Sequence, residues 1–245
     1  LKGWPLLPSE SQAFAGKLRL ILASASPRRH ELLALLGYPF SVIITDAEDS
    51  QAPVPPEILA ALPPYPLPSA QHPTLLAWRK AQAVAELEAG DIVLGADTVV
   101  VLEAALLGKP RDSAEAEAML TRLAGQVHTV YTGLAVWAQR PQKWAFALVA
   151  SEVTLAPLAA SEIAAYVATG EPLDKAGAYG LQGLGGRLVR QVQGSFTAVV
   201  GLPLPPTVNL LTEAGLAGLA DPTIAYHQWL QSQGKEPFPC PPTFP

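Results

Sequence analysis

The run Leu20-Ile21-Leu22-Ala23-Ser24-Ala25-Ser26-Pro27-Arg28-Arg29 decides how this chain is read. An apolar stretch stops at two serines, a proline follows, and two arginines lead into Glu31-Leu32-Leu33-Ala34-Leu35-Leu36. The pattern predicts a strand over 18–23, a tight turn, and a helix over 27–36. Ser26 suits the N-cap and Pro27 the first helical position. The first turn of a helix carries unpaired N–H groups and partial positive charge. Two hydroxyls and two guanidiniums placed there make a phosphate cradle. An ordinary capped helix with two surface arginines has the same spacing.

Outward from this run, strands and helices alternate, which predicts an α/β fold. Strands are expected at 40–44, 91–102, 127–137, 144–155, 185–192 and 196–200. Helices are expected at 74–89, 112–124, 161–169, 205–214 and 221–231. Asp112 with Glu115 marks one helix start, and Gly90, Gly125 and Gly170 mark helix ends. Residues 53–73 hold eight prolines, so an extended loop with a short helical turn near 56–62 is expected. Residues 1–17 read as an irregular N-terminal extension, and the last nine residues, with five prolines, as a loose tail.

The chain has 245 residues, 49% of them hydrophobic and 15% charged, enough for a sizeable core. No apolar run reaches the ~18 residues that span a bilayer. No basic-then-apolar leader opens the chain. Cys240 is the single cysteine, which excludes an internal disulfide and a cysteine metal cluster. A cytoplasmic protein without a membrane partner is expected. The net charge of −5 argues against a nucleic-acid polymer as partner, though not against one small anion. His30, His72, His128 and His227 lack metal-ligand spacing. Neither a P-loop, a dinucleotide fingerprint nor a nucleophile elbow is present.

Asp97 lies inside the apolar run 92–101, where an ionised carboxylate is costly unless paired or metal-bound. That makes it a site candidate. Lys80 sits on the apolar stripe of its helix, between Leu76 and Val84, and either snorkels outward or enters a polar cleft. Lys109 stands between Gly108 and Pro110 in a stiff loop suited to a phosphate.

The segment Ser24-Ala25-Ser26-Pro27-Arg28-Arg29 resembles the signature of the Maf family of nucleoside triphosphate pyrophosphatases. Gly95-Ala96-Asp97-Thr98-Val99, Gly108-Lys109-Pro110, Tyr131-Thr132-Gly133 and Asp174-Lys175-Ala176-Gly177-Ala178-Tyr179-Gly180-Leu181-Gln182-Gly183 match in the same order, and Val199-Val200-Gly201-Leu202-Pro203 closes the match. The resemblance implies a Maf/ITPase-like mixed sheet with two lobes flanking a central substrate cleft. It covers residues 18–214, with a proline-rich insertion at about 50–73 and an appended helix and tail over 215–245.

The resemblance implies hydrolysis of a nucleoside triphosphate to monophosphate and pyrophosphate, with Mg²⁺ or Mn²⁺ as cofactor. Asp97 becomes the general base or a metal ligand, and Glu48 a second ligand. Ser24, Arg28, Arg29, Lys80 and Lys109 become substrate-binding residues. Arg28, Thr98 and Gln182 match the branch acting on dTTP and UTP, as opposed to the branch acting on 7-methyl-GTP. A homodimer is left open. The alternative reading is a nucleotide-binding regulator of cell division with little turnover. Two departures stand out: Ala198 where many members carry asparagine, and Glu103-Ala104 in place of an Asp-Gly turn.

Overall fold

The computed structural model describes residues 18–47, 50, 52–87 and 91–232. Strand β1 (Leu20–Ala23) is buried at every position. It leads into α1 (Pro27–Ala34), where Ser26 caps the helix by accepting from the Arg29 N–H and Pro27 opens the first turn. Next come β2 (Phe40–Val42), α2 (Pro56–Ala61), α3 (Pro73–Leu87), β3 (Ile92–Leu102), β4 (Ala105–Leu107) and α4 (Ser113–Leu123). The hairpin β5 (Val127–Gln139) and β6 (Gln142–Leu155) follows. Then come α5 (Ala160–Val167), β7 (Val189–Gln193), α6 (Phe196–Val200), α7 (Leu204–Glu213) and α8 (Pro222–Ser232).

The strands form one mixed sheet in the order β2-β1-β3-β5-β6-β7, with β4 beside β3. The α/β expectation therefore holds. β1 runs parallel to both β2 and β3, whereas β3, β5, β6 and β7 pair antiparallel. Both faces of the sheet are covered, so β3 reads as an almost unbroken apolar run. On one face Leu20, Leu22, Leu94, Leu120 and Leu134 join the main core. On the other, α3 lays Ala81 and Val84 against Ile21, Ala23 and Val93.

Helix α3 lies very close to the sheet, and two glycines permit it. A Cβ on Gly95 of β3 would stand 2.1 Å from the Ala77 carbonyl oxygen. One on Gly133 of β5 would stand 2.2 Å from the Thr74 amide nitrogen. Asp97 pairs across the sheet with Gly133 and points to this same face.

Three expectations need correcting. Residues 196–200 are helical, not a strand: Ser195 caps them by accepting from the Ala198 N–H, and Gly201 ends them at φ 128°. A five-residue apolar run cannot distinguish the two states by periodicity. Residues Leu184–Leu188 form a 3₁₀ segment, so only Val189–Gln193 is strand. Gly185 lies close to the Tyr166 hydroxyl and the Gly180 backbone, in the 3₁₀ segment that precedes the strand. β2 stops at Val42 because Ile44 is 62% exposed and has no core to face.

The expected loop at 53–73 carries α2 and is pinned to the body. Ile58 packs with Leu75, Ala77 and Trp78. The buried His72 ring bridges the Pro63 carbonyl (2.8 Å) and the Thr74 N–H, which donates to Nδ1 (3.1 Å). Between β3 and β4, Glu103 and Ala104 both take left-handed φ values (49° and 63°), making the tight turn without a glycine. The expected helix end at Gly90 lies outside the described residues, as do residues 1–17 and the proline-rich tail from residue 233.

Candidate active site

Strand lengths create the site. β1 pairs with Ile92–Gly95 of β3 and ends there, while β4 pairs with β3 only from Val100. Ala96 to Val99 thus have β5 on one edge and no strand on the other, among the described residues. A cleft of about 320 Å³ opens at this gap, beyond the C-terminal end of a parallel strand. Ser24, Arg28, Arg29, Lys80, Asp97, Thr98, Lys109 and Gln182 all line it. The structure thus brings together every site residue expected from sequence except Glu48, which lies outside the described residues.

Lys80 enters the cleft. Its Nζ donates to Asp97 Oδ1 at 2.7 Å, with side-chain exposures of 11% and 13%. The apolar stripe that carries Lys80 seats α3 on the sheet and aims the ammonium at β3. The pair explains how a carboxylate survives within a buried strand.

Arg29 is almost wholly enclosed, at 8% exposure. Its Nε donates to the Gly201 carbonyl (2.9 Å), Nη1 to Ser24 Oγ (3.2 Å) and Nη2 to Thr98 Oγ1 (3.1 Å). One guanidinium fork therefore ties the β1–α1 turn, β3 and the end of α6 together. Thr132 Oγ1 donates its single proton to the Ala198 carbonyl (2.7 Å), so Thr98 donates to Thr132 (2.9 Å). The chain Arg29–Thr98–Thr132–Ala198 ends on a backbone carbonyl, so alanine at 198 suffices for it.

Arg28 remains nearer the surface, 3.6 Å from Asp174. Asp174 also accepts from Lys175 Nζ at 2.6 Å. Lys109 is exposed at the rim, on a loop held by the Gly177 N–H donating to the Gly108 carbonyl (3.0 Å). Asp46, Asp174, Lys175 and Tyr179 also line the cleft and were not singled out from sequence. Asp174, Lys175 and Tyr179 stand in the long motif, and Asp46 in the acidic cluster after β2, which were the available signals.

Tyr179 is anchored from beneath. His128, 2% exposed, meets its hydroxyl at 2.6 Å. Burial pushes the His128 pKa down from 6.5 to about 4, so the ring is neutral at physiological pH. Unfolding restores the ordinary value. Between pH 6.5 and about 4 the unfolded chain therefore binds a proton that the folded one refuses, and stability falls as pH falls. The increment reaches about 3 kcal/mol. A His128→Gln variant is expected to show a shallower loss of thermal stability over that window than wild type. Equal slopes in melts at matched pH would refute the assignment.

A family model described as Maf-like protein matches residues 19–214. The chain belongs to the Maf family. A dTTP/UTP pyrophosphatase of Myxococcus xanthus is 47% identical over 203 residues, covering 82% of this chain and 95% of the relative. An Escherichia coli dTTP/UTP pyrophosphatase is 48% identical over 194 residues, 79% and 91% of the two chains. One from Bacillus cereus is 45% identical over 195 residues, 80% and 95%. The match takes in the whole cleft of this Maf chain, from the β1–α1 turn to Gly201, but stops before α8.

Proposed function

We propose that this Maf protein hydrolyses nucleoside triphosphates, dTTP and UTP foremost, to the monophosphate and pyrophosphate. The observation that carries the reading is the Asp97–Lys80 pair, set in a cleft whose other cations are Arg28, Arg29, Lys109 and Lys175. The relatives named for dTTP and UTP support the substrate class. Residues 18–214 carry the activity, and 215–245 are appended to them.

Phosphoryl transfer asks the protein for positioning and charge stabilisation more than for covalent steps. Arg28, Lys80 and Lys109 neutralise the phosphate chain, while Arg29 chiefly shapes the cradle that receives it. The oxygen of a water bonds to the α-phosphorus as the bond to the bridging oxygen of the β-phosphate breaks. That electron pair leaves with pyrophosphate, and Asp97 takes the water's proton. Lys80 holds the Asp97 carboxylate in place throughout.

The donor set suits a hard divalent cation in part. Asp97 and Asp46 offer carboxylates to the cleft, yet among the described residues no group of three His, Cys, Asp or Glu side chains could hold an ion alone. Mg²⁺ commonly binds in this way, with one or two carboxylates plus phosphate oxygens and water. Asp97, with Glu48 or Asp46, would hold it, and it would supply charge neutralisation at the phosphates. No helix among the described residues is long and apolar enough to cross a membrane. We place the enzyme in the cytoplasm, where its substrates are made.

Pyrophosphate release from dTTP, UTP, CTP and GTP with Mg²⁺ or Mn²⁺ tests the reading. The highest kcat/KM is expected for dTTP and UTP, with no release when divalent ions are chelated. Tight nucleotide binding without release would instead favour the regulatory module. A preference for GTP would overturn the substrate class.

A further inference from the structure

Helix α8 lies beyond the family match, yet it reaches a residue of the cleft through one carboxylate. Asp221 caps it by accepting from the Thr223 and Ile224 N–H groups, both at 2.9 Å. The Ala220 N–H donates to the Leu36 carbonyl just past α1. The Phe196, Tyr226 and Trp229 rings pack together, with centroids 5.9–6.5 Å apart, which docks α8 onto α6. Trp229 is 5% exposed, and its indole Nε1 donates to Glu31 Oε1 at 2.7 Å. The other oxygen of the same carboxylate, Oε2, accepts from Gln182 Nε2 at 3.3 Å. Glu31 and Trp229 do not line the cleft, whereas Gln182 does.

A carboxylate only accepts, so Glu31 dictates which end of the Gln182 amide it receives. The nitrogen must face Glu31. The carbonyl oxygen is then the end left for a ligand. Uracil and thymine carry an N3–H donor on their pairing edge. Cytosine carries a bare N3 acceptor there, which a carbonyl oxygen repels. An amide free to turn over would instead offer its N–H to cytosine.

We propose that Trp229 is a positioning residue for base selection: through Glu31 it locks the Gln182 amide with its carbonyl toward the base, and so favours uracil and thymine over cytosine. This rests on the proposed function, with Gln182, which lines the cleft, taken to face the base of the bound nucleotide. It gives the appended helix a part in specificity without any contact to substrate.

The test uses the full chain and steady-state kinetics on dTTP, UTP and CTP for Trp229→Phe, Glu31→Gln and Gln182→Leu, with a thermal melt of each. Trp229→Phe keeps a six-membered ring in the cluster and removes the N–H together with the pyrrole half of the indole, so its melt is read beside its kinetics. Losing one hydrogen bond of this kind is expected to lower the dTTP-to-CTP ratio of kcat/KM roughly three- to tenfold. The change should lie chiefly in KM, with CTP improving relative to dTTP. Glu31→Gln removes the rule that orients the amide and should lower the ratio at least as far. It also stands in if Trp229→Phe proves unstable. A uniform fall for all three nucleotides, at an unchanged ratio, would make Trp229 and Glu31 structural and overturn the proposal. If Gln182→Leu lowers the ratio while neither of the other variants does, the proposal fails and the base-reading role stands. If Gln182→Leu also leaves the ratio unchanged, that role fails and takes the proposal with it.

Discussion

Asp97→Asn is expected to lower pyrophosphate release by at least about 10²–10⁴-fold, the usual loss for a general base, and further if a metal ligand goes with it. The substitution is nearly isosteric, and an asparagine oxygen still accepts from Lys80 Nζ, which stands 2.7 Å from the carboxylate. The melt should therefore shift little beside the loss of turnover. Asp97→Ala is different. It strands an ammonium that is only 11% exposed, and breaking one side of a buried pair costs about 3–5 kcal/mol. Comparing the two by single-turnover kinetics and thermal melts separates chemistry from stability. An Asn variant that keeps a tenth of wild-type turnover would remove Asp97 from the reacting centre.

Gly95→Ala, like Gly133→Ala, is expected to be among the most damaging single-methyl changes in the sheet. The Cβ added at Gly95 would meet the Ala77 carbonyl oxygen at 2.1 Å and the Ala81 methyl at 3.0 Å. The first neighbour is backbone within a helix and cannot rotate away. Overpacking of this sort costs about 1–3 kcal/mol or more, and 3 kcal/mol lowers Tm by about 6–12 °C in a chain of this size. The relief available is for α3 to lift from the sheet, which draws Lys80 away from Asp97. Turnover should fall along with Tm. Gly108→Ala, where an added Cβ has nothing within 4 Å, is the matched control for stability. A Gly95→Ala protein with wild-type Tm and kcat would show that α3 does not need this close approach.

Much of the site was legible because its residues stand where chemistry and local pattern conflict. An aspartate within a largely apolar run of ten residues and a lysine on an apolar helical stripe each break a rule, and the two turn out to be one ion pair. The β1–α1 turn was legible because Ser26, Pro27 and the following periodicity are all local signals. What stayed hidden depends on register. That Thr98 faces Thr132, and that Arg29 closes onto Gly201, follows from pairing between distant strands and from α6 being a helix. Only the Ser24 contact of the Arg29 fork is local in the chain; nothing near residue 29 encodes the contacts to Thr98 and Gly201. Trp229 read only as part of an appended helix, because its carboxylate partner lies 198 residues away.

Among the described residues, no strand pairs with the outer edge of β3 from Ala96 to Val99. An unpaired strand edge is a template for a foreign strand and so a hazard for aggregation. Proteins usually blunt such edges with charge, bulges or an overlying element. Here the edge is guarded by the cleft itself: Lys80 stands over one side of it, and Arg29 with the start of α1 closes the other. A polypeptide strand cannot lie flat in so short an interval, whereas a small anion can enter it. The opening that admits the substrate is thereby too short to recruit another chain, and solubility and access are served by the same four residues.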